Sequence, residues 1–484
     1  MTLNEKQITE FLDSASKAAE TVLEAVKEDG FINVVSHLDA DGIAAAGIIG
    51  KALFRLDAKF RVRVGHWIDE KLTEEIRSEK PQLTIFTDLG SGYLDLLNER
   101  LSDFQIVILD HHQIIGEQTS RLVHVNPHMH NIDGARDVSG SGVVYFVAKA
   151  MSEENVDLAP VAIVGALGDL QDRYDQRKLG GLNGKIVEDA EKAGLLKVEK
   201  DLIFFGRETR PIHRTLAYTT NPFIPGISGE EDKSLAFLVS QDIKPKHGEK
   251  WRALRDLSEE EKRRLCSALA DYLLSKGLHC EASNLIGHVY ILNHEEPWTP
   301  LRDAREFSVL LNATGRMDKS SVGIVVCMGD RGSMLEKANR TLGQYRRMIN
   351  KYLGWVTEKP ERIKELENIY VVNGEGFIDD KVMGAISSIL SMSLPNSEKP
   401  LIAYTTADDE EELAKVSART VDAVIHKGVN LGEIMQIAAE KYSGRGGGHN
   451  IAAGAQVPME NIDAFINIVN ESVRKQLTGK KIAS

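Results

Sequence analysis

From Phe31 the chain runs Phe-Ile-Asn-Val-Val, almost wholly apolar, and then turns abruptly to Ser36-His37-Leu38-Asp39-Ala40-Asp41-Gly42. Small apolar residues follow at once, Ile43-Ala44-Ala45-Ala46-Gly47-Ile48-Ile49. The pattern predicts a buried strand ending in acid, then a helix packed closely on a sheet. It recurs twice: residues 82–87 form a short apolar run closing on Asp88, and residues 105–109 another closing on Asp110-His111-His112. Residues 122–125 read as a further strand, before Asn126-Pro127. Helical patterns lie at 4–29, from 142 and at 159–172, while the alternation at 59–64 suits an edge strand. Apolar strands alternating with helices predict an α/β fold with a doubly wound parallel sheet. Such sheets bind ligands outside the carboxyl ends of their strands, which is where the acids fall.

The signal weakens between 176 and 300. Arg207, Arg210, His213 and Arg214 make a basic cluster that suits either a solvated face or a nucleic-acid contact. Residues 221–226 form a rigid turn, and 258–277 read as helix. Near 301 a second, smaller α/β unit is expected to begin. Its pattern predicts strands at 322–327, 369–372, 400–404, 413–417 and 452–457, with helices at 331–356, 380–393, 429–442 and 459–476. Residues 443–450, Ser-Gly-Arg-Gly-Gly-Gly-His-Asn, interrupt that alternation.

A chain of 484 residues is long enough for two or three domains. Its three cysteines, Cys266, Cys280 and Cys327, are widely spaced and odd in number, which argues against a disulfide framework or a cysteine zinc site. No basic and apolar leader opens the sequence, and no apolar run approaches the ~18 residues of a membrane span. A cytoplasmic location is therefore expected, with no membrane partner. The net charge of −13 is unlike that of domains that coat nucleic acid, yet it is compatible with an acidic metal site.

Asp-x-Asp at the mouth of a hydrophobic strand is costly unless a cation sits between the charges. The candidate metal ligands are His37, Asp39, Asp41, Asp88, His111 and Asp169, with His112 and Asp172 close by. Six mixed carboxylate and imidazole groups suffice for two divalent ions, and this donor set suits Mn²⁺ or Mg²⁺. Asp169 and Asp172 lie three apart on the helix at 159–172 and share a face, one ligating while the other orients a ligand or water. His124, His128 and His130 offer a rival metal cluster, although surface or substrate contacts suit them better. Gly446, Gly447 and Gly448 would leave backbone N–H groups free to face an anion, with Arg445 and His449 adding donors. No G-x-x-x-x-G-K-[ST] sequence occurs, which disfavours a P-loop ATPase.

On these residues the sequence resembles the DHH phosphoesterase superfamily, through His37-x-Asp39-x-Asp41-Gly42, Asp88, the triplet Asp110-His111-His112, and Gly168-Asp169. The stretch Gly446–Gly454 resembles the associated substrate-binding DHHA1 domain, and the motif spacing with the long middle region resembles archaeal RecJ-like exonucleases. The resemblance implies an N-terminal helix at 1–30, a catalytic DHH domain at 31–190, a helical connecting region at 191–300 and a DHHA1 domain at 301–484. It implies a two-Mn²⁺ exonuclease on single-stranded DNA, with RNA as a further substrate, running 5′→3′ in replication or repair. Asp39, Asp41, Asp88, His111 and Asp169 would be ligands, Asp88 bridging, with His37 completing one shell. His112 would act at the scissile phosphate, and Arg136, Ser417, Arg419, His449 and the glycines before it would contact the strand. Competing readings are a small-substrate phosphodiesterase and a scaffold for a replisome or RNA-processing partner.

Overall fold

Helices cover both faces of the first sheet, which is why its central strands are apolar at nearly every position. The computed structural model describes residues 3–119, 121–219, 222–394, 398–407 and 410–479. Its first part alternates α1 (Glu5–Lys27), β1 (Phe31–His37), α2 (Ala40–Arg55), β2 (Lys59–Gly65), α3 (Glu70–Glu79), β3 (Leu83–Thr87), α4 (Leu94–Arg100), β4 (Gln105–Leu109), β5 (Leu122–Val125), α5 (Gly140–Met151) and α6 (Ala159–Gly168). All five strands are parallel, in the order β2-β1-β3-β4-β5. On one face α3 and α4 bury Ile76, Leu94, Leu97 and Leu101 against Val35, Phe86, Ile106 and Ile108 of the sheet. On the other, α2 and α5 lie against the strands, with α1 and α6 packed on α5. Strand order reverses between β1 and β3, which creates a crevice at their carboxyl ends.

The middle region follows as α7 (Gly181–Lys192), β6 (Leu196–Leu202), α8 (Ile212–Ala217), α9 (Glu231–Ser240), the two-residue strands β7 (Lys246–His247) and β8 (Lys250–Trp251), α10 (Glu259–Ser275), α11 (His279–Ser283) and β9 (Ile286–Leu292). It is largely helical, tied by the antiparallel β6–β9 pair. A capping box of Ser258 and Glu261 starts α10, whose Leu265, Leu269 and Leu273 share a core with Leu202, Phe204, Ile212, Leu216 and Leu254. The basic cluster is mostly consumed in pairings. Arg207 is buried on Asp201, Arg214 pairs with Glu231, and Arg210 stacks on Phe205 and Tyr218.

Next come α12 (Ala304–Arg316), α13 (Ser320–Cys327) and α14 (Ser333–Glu358). The strand expected at 322–327 is thus a helix. An apolar run of six fits either state, and here packing decides it: α13 lies on α2, with Cys327 against Gly47, and on α12. By the same packing, residues 301–342 belong with the first compact unit, Met1–Leu342, and not with the second, which starts at Gly343. The second unit contains β10 (Ile363–Glu365), β11 (Tyr370–Asn373), α15 (Asp380–Ser393), β12 (Leu401–Ala407), β13 (Glu410–Arg419), α16 (Asp422–Ile425), α17 (Leu431–Glu440), β14 (Arg445–Gly448), β15 (Ala452–Pro458) and α18 (Ile462–Leu477). Its sheet order is β10-β11-β12-β13-β15-β14, parallel only between β11 and β12. Helices α17 and α18 cover one face through Ile434, Met435, Ala438, Phe465 and Val469, against Ile402, Val416, Ala418 and Val457.

Candidate metal centre

Adjacent parallel strands bring their carboxyl ends together, and the register makes this explicit: Ser36 lies beside Thr87, and Thr87 beside Leu109. The next residues are His37, Asp88 and Asp110, so three separate motifs meet at one edge. Asp39 caps α2, accepting from the Gly42 N–H at 3.0 Å. Asp88 takes a left-handed backbone (φ 54°), a strained conformation of the kind that gathers at functional sites.

Three groups of ligand-type atoms lie within 4.8 Å of one another: His37, Asp39 and Asp88; Asp41, His111 and Asp169; and Asp88 with Asp110, His111 and His112. His37 Nδ1 is 3.0 Å from Asp39 and 3.8 Å from Asp88. His111 Nε2 is 3.2 Å from Asp88, 3.8 Å from Asp169 and 3.9 Å from Asp41. Asp88 therefore stands between the first two groups.

Asp88 is 1% exposed, and neither carboxylate oxygen accepts a hydrogen bond of good geometry, the short approach of His111 notwithstanding. Leaving such a group buried and unpaired costs several kcal/mol, about the penalty that a bound cation removes. Burial, then Asp41 and Asp39, push the Asp88 carboxyl well above its usual range. Burial likewise lifts Asp41 to about 6, against the opposing pull of His111. For Asp39 the burial penalty is outweighed by His37 and the Gly42 N–H, which hold it low. Burial works against charge on His111, but Asp169, Asp88 and Asp41 outweigh it and raise its pKa well above normal. A cluster that buries excess negative charge and stabilises a protonated imidazole in compensation fits a divalent cation.

A second layer of donors holds these groups. The N-terminus of α5 grips Asp41: the Gly140 N–H donates to Oδ2 at 2.7 Å, the Ser141 N–H to Oδ1 at 3.1 Å, and the Ser141 hydroxyl also to Oδ1. A Cβ at position 140 would sit 2.4 Å from Asp88 Oδ1, so only glycine permits this approach. His111 Nδ1 lies 2.6 Å from the Gly134 carbonyl, which makes it the donor and leaves Nε2 for the cluster. Gln171, fully buried, donates to Asp169 Oδ2 and to the same carbonyl, both at 2.8 Å, and accepts from Asn183 at 2.7 Å. Asp110 accepts from His112 Nδ1, the Ser91 N–H and the His111 N–H, all at 2.8 Å. His112, 42% exposed, is thereby turned so that its Nε2 points away from Asp110. The sequence singled out neither Gln171 nor Asp110 in an orienting role. Asp110 was legible from its place in the triplet, whereas nothing local marks Gln171.

Asp172 stands apart from the cluster. Helix α6 ends at Gly168, Asp169 caps it and Leu170 turns left-handed (φ 55°), so Asp169 and Asp172 share no helical face. Asp172 is buried on Arg177 at 2.9 Å and Arg305 at 2.8 Å, which ties the loop to α12. The rival histidines are also spent on protein partners. His124 bonds Ser91 and Gln118 and is pushed down to about 4 by burial, and His130 bonds Ser14. Arg136 lies over Tyr174 and bonds Asp137 at 3.3 Å.

In the second unit Ser417 and Arg419 project from one face of β13 toward α15, where Ser417 bonds Ser387 and Arg419 bonds Ser388. Arg445, Gly446, Gly447 and Gly448 do not form a loop of free N–H groups. They are an edge strand, paired with Gln456, Ala455, Gly454 and Ala453. Glycine is needed because α17 packs directly on them: a Cβ on Gly446 would meet the Met435 carbonyl at 2.3 Å. His449 follows in the turn, its N–H bonded to the Ala452 carbonyl. Among the described residues no helix is long and apolar enough to cross a membrane.

Three family models match along the chain: the DHH family N-terminal domain at 31–167, the DHH-CID domain at 204–286 and the DHHA1 domain at 370–475. An uncharacterized protein of Methanocaldococcus jannaschii is 32% identical over 473 residues, 95% of this chain and 98% of that one. Among solved structures, RecJ in complex with Mn²⁺ from Thermus thermophilus is similar at a TM-score of 0.59 and 17% identity over 96% of this chain, which spans 55% of that longer one. A manganese-bound exonuclease RecJ matches at 0.55 and 17%, covering 97% of both chains. CDC45 from Entamoeba histolytica matches at 0.63 and 10%, covering 95% of this chain and 99% of that one. With three domain models matched in order and a relative alike over nearly its whole length, the chain belongs to the DHH superfamily, and its fold is like that of RecJ.

Proposed function

We propose that this chain is a divalent-metal-dependent phosphodiesterase that removes nucleotides from single-stranded DNA, with RNA as a further substrate, running 5′→3′ in replication or repair. The observation that carries the reading is Asp88, buried with no hydrogen bond of good geometry to either carboxylate oxygen and flanked by two ligand groups. His37, Asp39 and Asp88 would hold one ion and Asp41, Asp88, His111 and Asp169 the other. When bound, two such ions supply Lewis-acid stabilisation to both the attacking and leaving oxygens of a phosphodiester. The chain's own groups do the rest. Asp110 fixes the His112 ring so that its Nε2 can protonate the leaving oxygen at the exposed rim. The α5 N-terminus and Gln171 keep Asp41 and Asp169 in place. Ser417, Arg419 and His449 would bind the strand, and Arg136 is a further phosphate contact. A replisome or RNA-processing protein is the proposed partner.

The test is digestion with Mn²⁺ of single strands of DNA and RNA labelled at the 5′ or the 3′ end. Immediate release of labelled mononucleotide from 5′-labelled DNA is expected. No cleavage of any strand beside rapid hydrolysis of dinucleotides would replace this reading with the small-substrate one.

A further inference from the structure

The middle region carries a groove of about 920 Å³ that shares no residue with the acidic cluster, lined by His247, Glu249, Lys250, Trp251, Arg252, Asp256 and Trp298. Its walls are unusual in two respects. Both tryptophans are exposed, Trp251 by 44% and Trp298 by 62%, and no aliphatic side chain lines the groove beside them. Residues 244–256 also carry five basic side chains (Lys244, Lys246, Lys250, Arg252 and Arg255) against two acids, Glu249 and Asp256, in a chain whose net charge is −13.

These side chains are arranged. The hairpin β7–β8 turns through Gly248 (φ 59°) and sets Lys246 opposite Trp251 and His247 opposite Lys250. Lys246 stands 4.5 Å from the Trp251 ring centre, and His213 packs on that indole at 4.4 Å. Trp298 is held outward by a left-handed backbone (φ 59°), by its indole N–H to Asp256 at 3.1 Å and by the Arg255 guanidinium 4.7 Å from the ring. Both arginines are already paired, Arg252 with Glu261 and Arg255 with Glu208. The exposed Lys244, Lys246 and Lys250 make no ion pair among the described residues.

We infer that this groove binds single-stranded nucleic acid, with the Trp298 ring as the stacking surface for a base and Lys246 and Lys250 meeting phosphates. An exposed aromatic face beside cations that have no carboxylate partner is the combination that grips a single strand without reading its sequence. The inference rests on the reading of the chain as acting on nucleic acid, and it adds a strand contact outside the catalytic centre.

Fluorescence anisotropy of the full chain with labelled oligothymidylate in EDTA reads binding without cleavage. Trp298→Ala should weaken binding at least about fivefold, and Trp298→Phe should restore most of the loss. The double variant Lys246→Glu, Lys250→Glu should flatten the salt dependence by about 1.4, at roughly 0.7 per phosphate contact. Circular dichroism checks that each variant is folded. Unchanged affinity in folded Trp298→Ala and in the lysine pair overturns the groove. So does poly-L-glutamate that competes as well as oligothymidylate, since the surface then reads charge alone. Mn²⁺-dependent cleavage is scored separately: its absence in the wild-type chain removes the nuclease reading, while intact cleavage with unchanged binding by the variants removes only this site.

Discussion

Asp88 is the residue on which the centre turns, because its burial is destabilising unless something answers its charge. Its carboxyl is raised, so in metal-free protein at neutral pH it opposes folding. Asp88→Asn should therefore raise the melting temperature of the metal-free protein, while the gain from Mn²⁺ should be smaller than in the wild-type chain. A thermal melt with and without Mn²⁺ checks both, and an equal Mn²⁺ gain in the variant would exclude Asp88 as a ligand. Gln171 acts one step further out. Gln171→Leu should cut turnover by about 10–100-fold and weaken Mn²⁺ binding, the usual scale for an outer-layer partner. Turnover and Mn²⁺ titration check this, and a change in KM alone would place Gln171 elsewhere. At this scale the sequence was informative where a candidate ligand sits at a strand end. It was silent on Gln171, because a buried amide is recognised only by what surrounds it.

At the scale of elements, legibility followed burial. The strands at 31–37, 83–87 and 105–109 were readable because both faces are covered, so nearly every position is apolar. The run at 322–327 has the same composition and is a helix, because α2 and α12 receive it. The helix ending at Gly168 was equally hidden: only the left-handed Leu170 stops it, and no proline or glycine follows to mark the stop. Helix α12 bears a test of its own. Burial first, and then Asp303, push the Glu306 carboxyl up to about 7, against donors from Thr209 and Glu208. In the unfolded chain that group loses its proton near the ordinary 4.5, so stability from Glu306 declines as pH rises from about 4.5 through about 7. The urea midpoint should fall between pH 5 and pH 8, and Glu306→Gln should flatten that part of the fall. In the second unit, Gly446→Val should destabilise by about 1–3 kcal/mol, because a side chain there drives β14 off α17. Urea unfolding checks it, and an unchanged midpoint would mean the helix moves freely away.

At the scale of the molecule, a parallel sheet places its acids at one edge, a largely helical middle region presents a cationic, aromatic groove, and a second sheet carries the residues proposed to hold a strand. The division of the chain was only partly readable. Residues 301–342 looked like the start of a new domain, yet their apolar faces are spent on α2 and α6. A sequence pattern shows that a face is apolar and not which neighbour receives it. The family was readable because its motifs are short, ordered and tied to metal chemistry.

Everything proposed for activity depends on two ions sharing Asp88. Equilibrium dialysis against Mn²⁺, run beside cleavage of a single-stranded oligonucleotide, measures that directly. The account predicts two ions per wild-type chain, fewer than two in a folded Asp88→Asn variant, and no cleavage by that variant. Two ions bound by Asp88→Asn with wild-type affinity, or cleavage that survives the substitution, would contradict it.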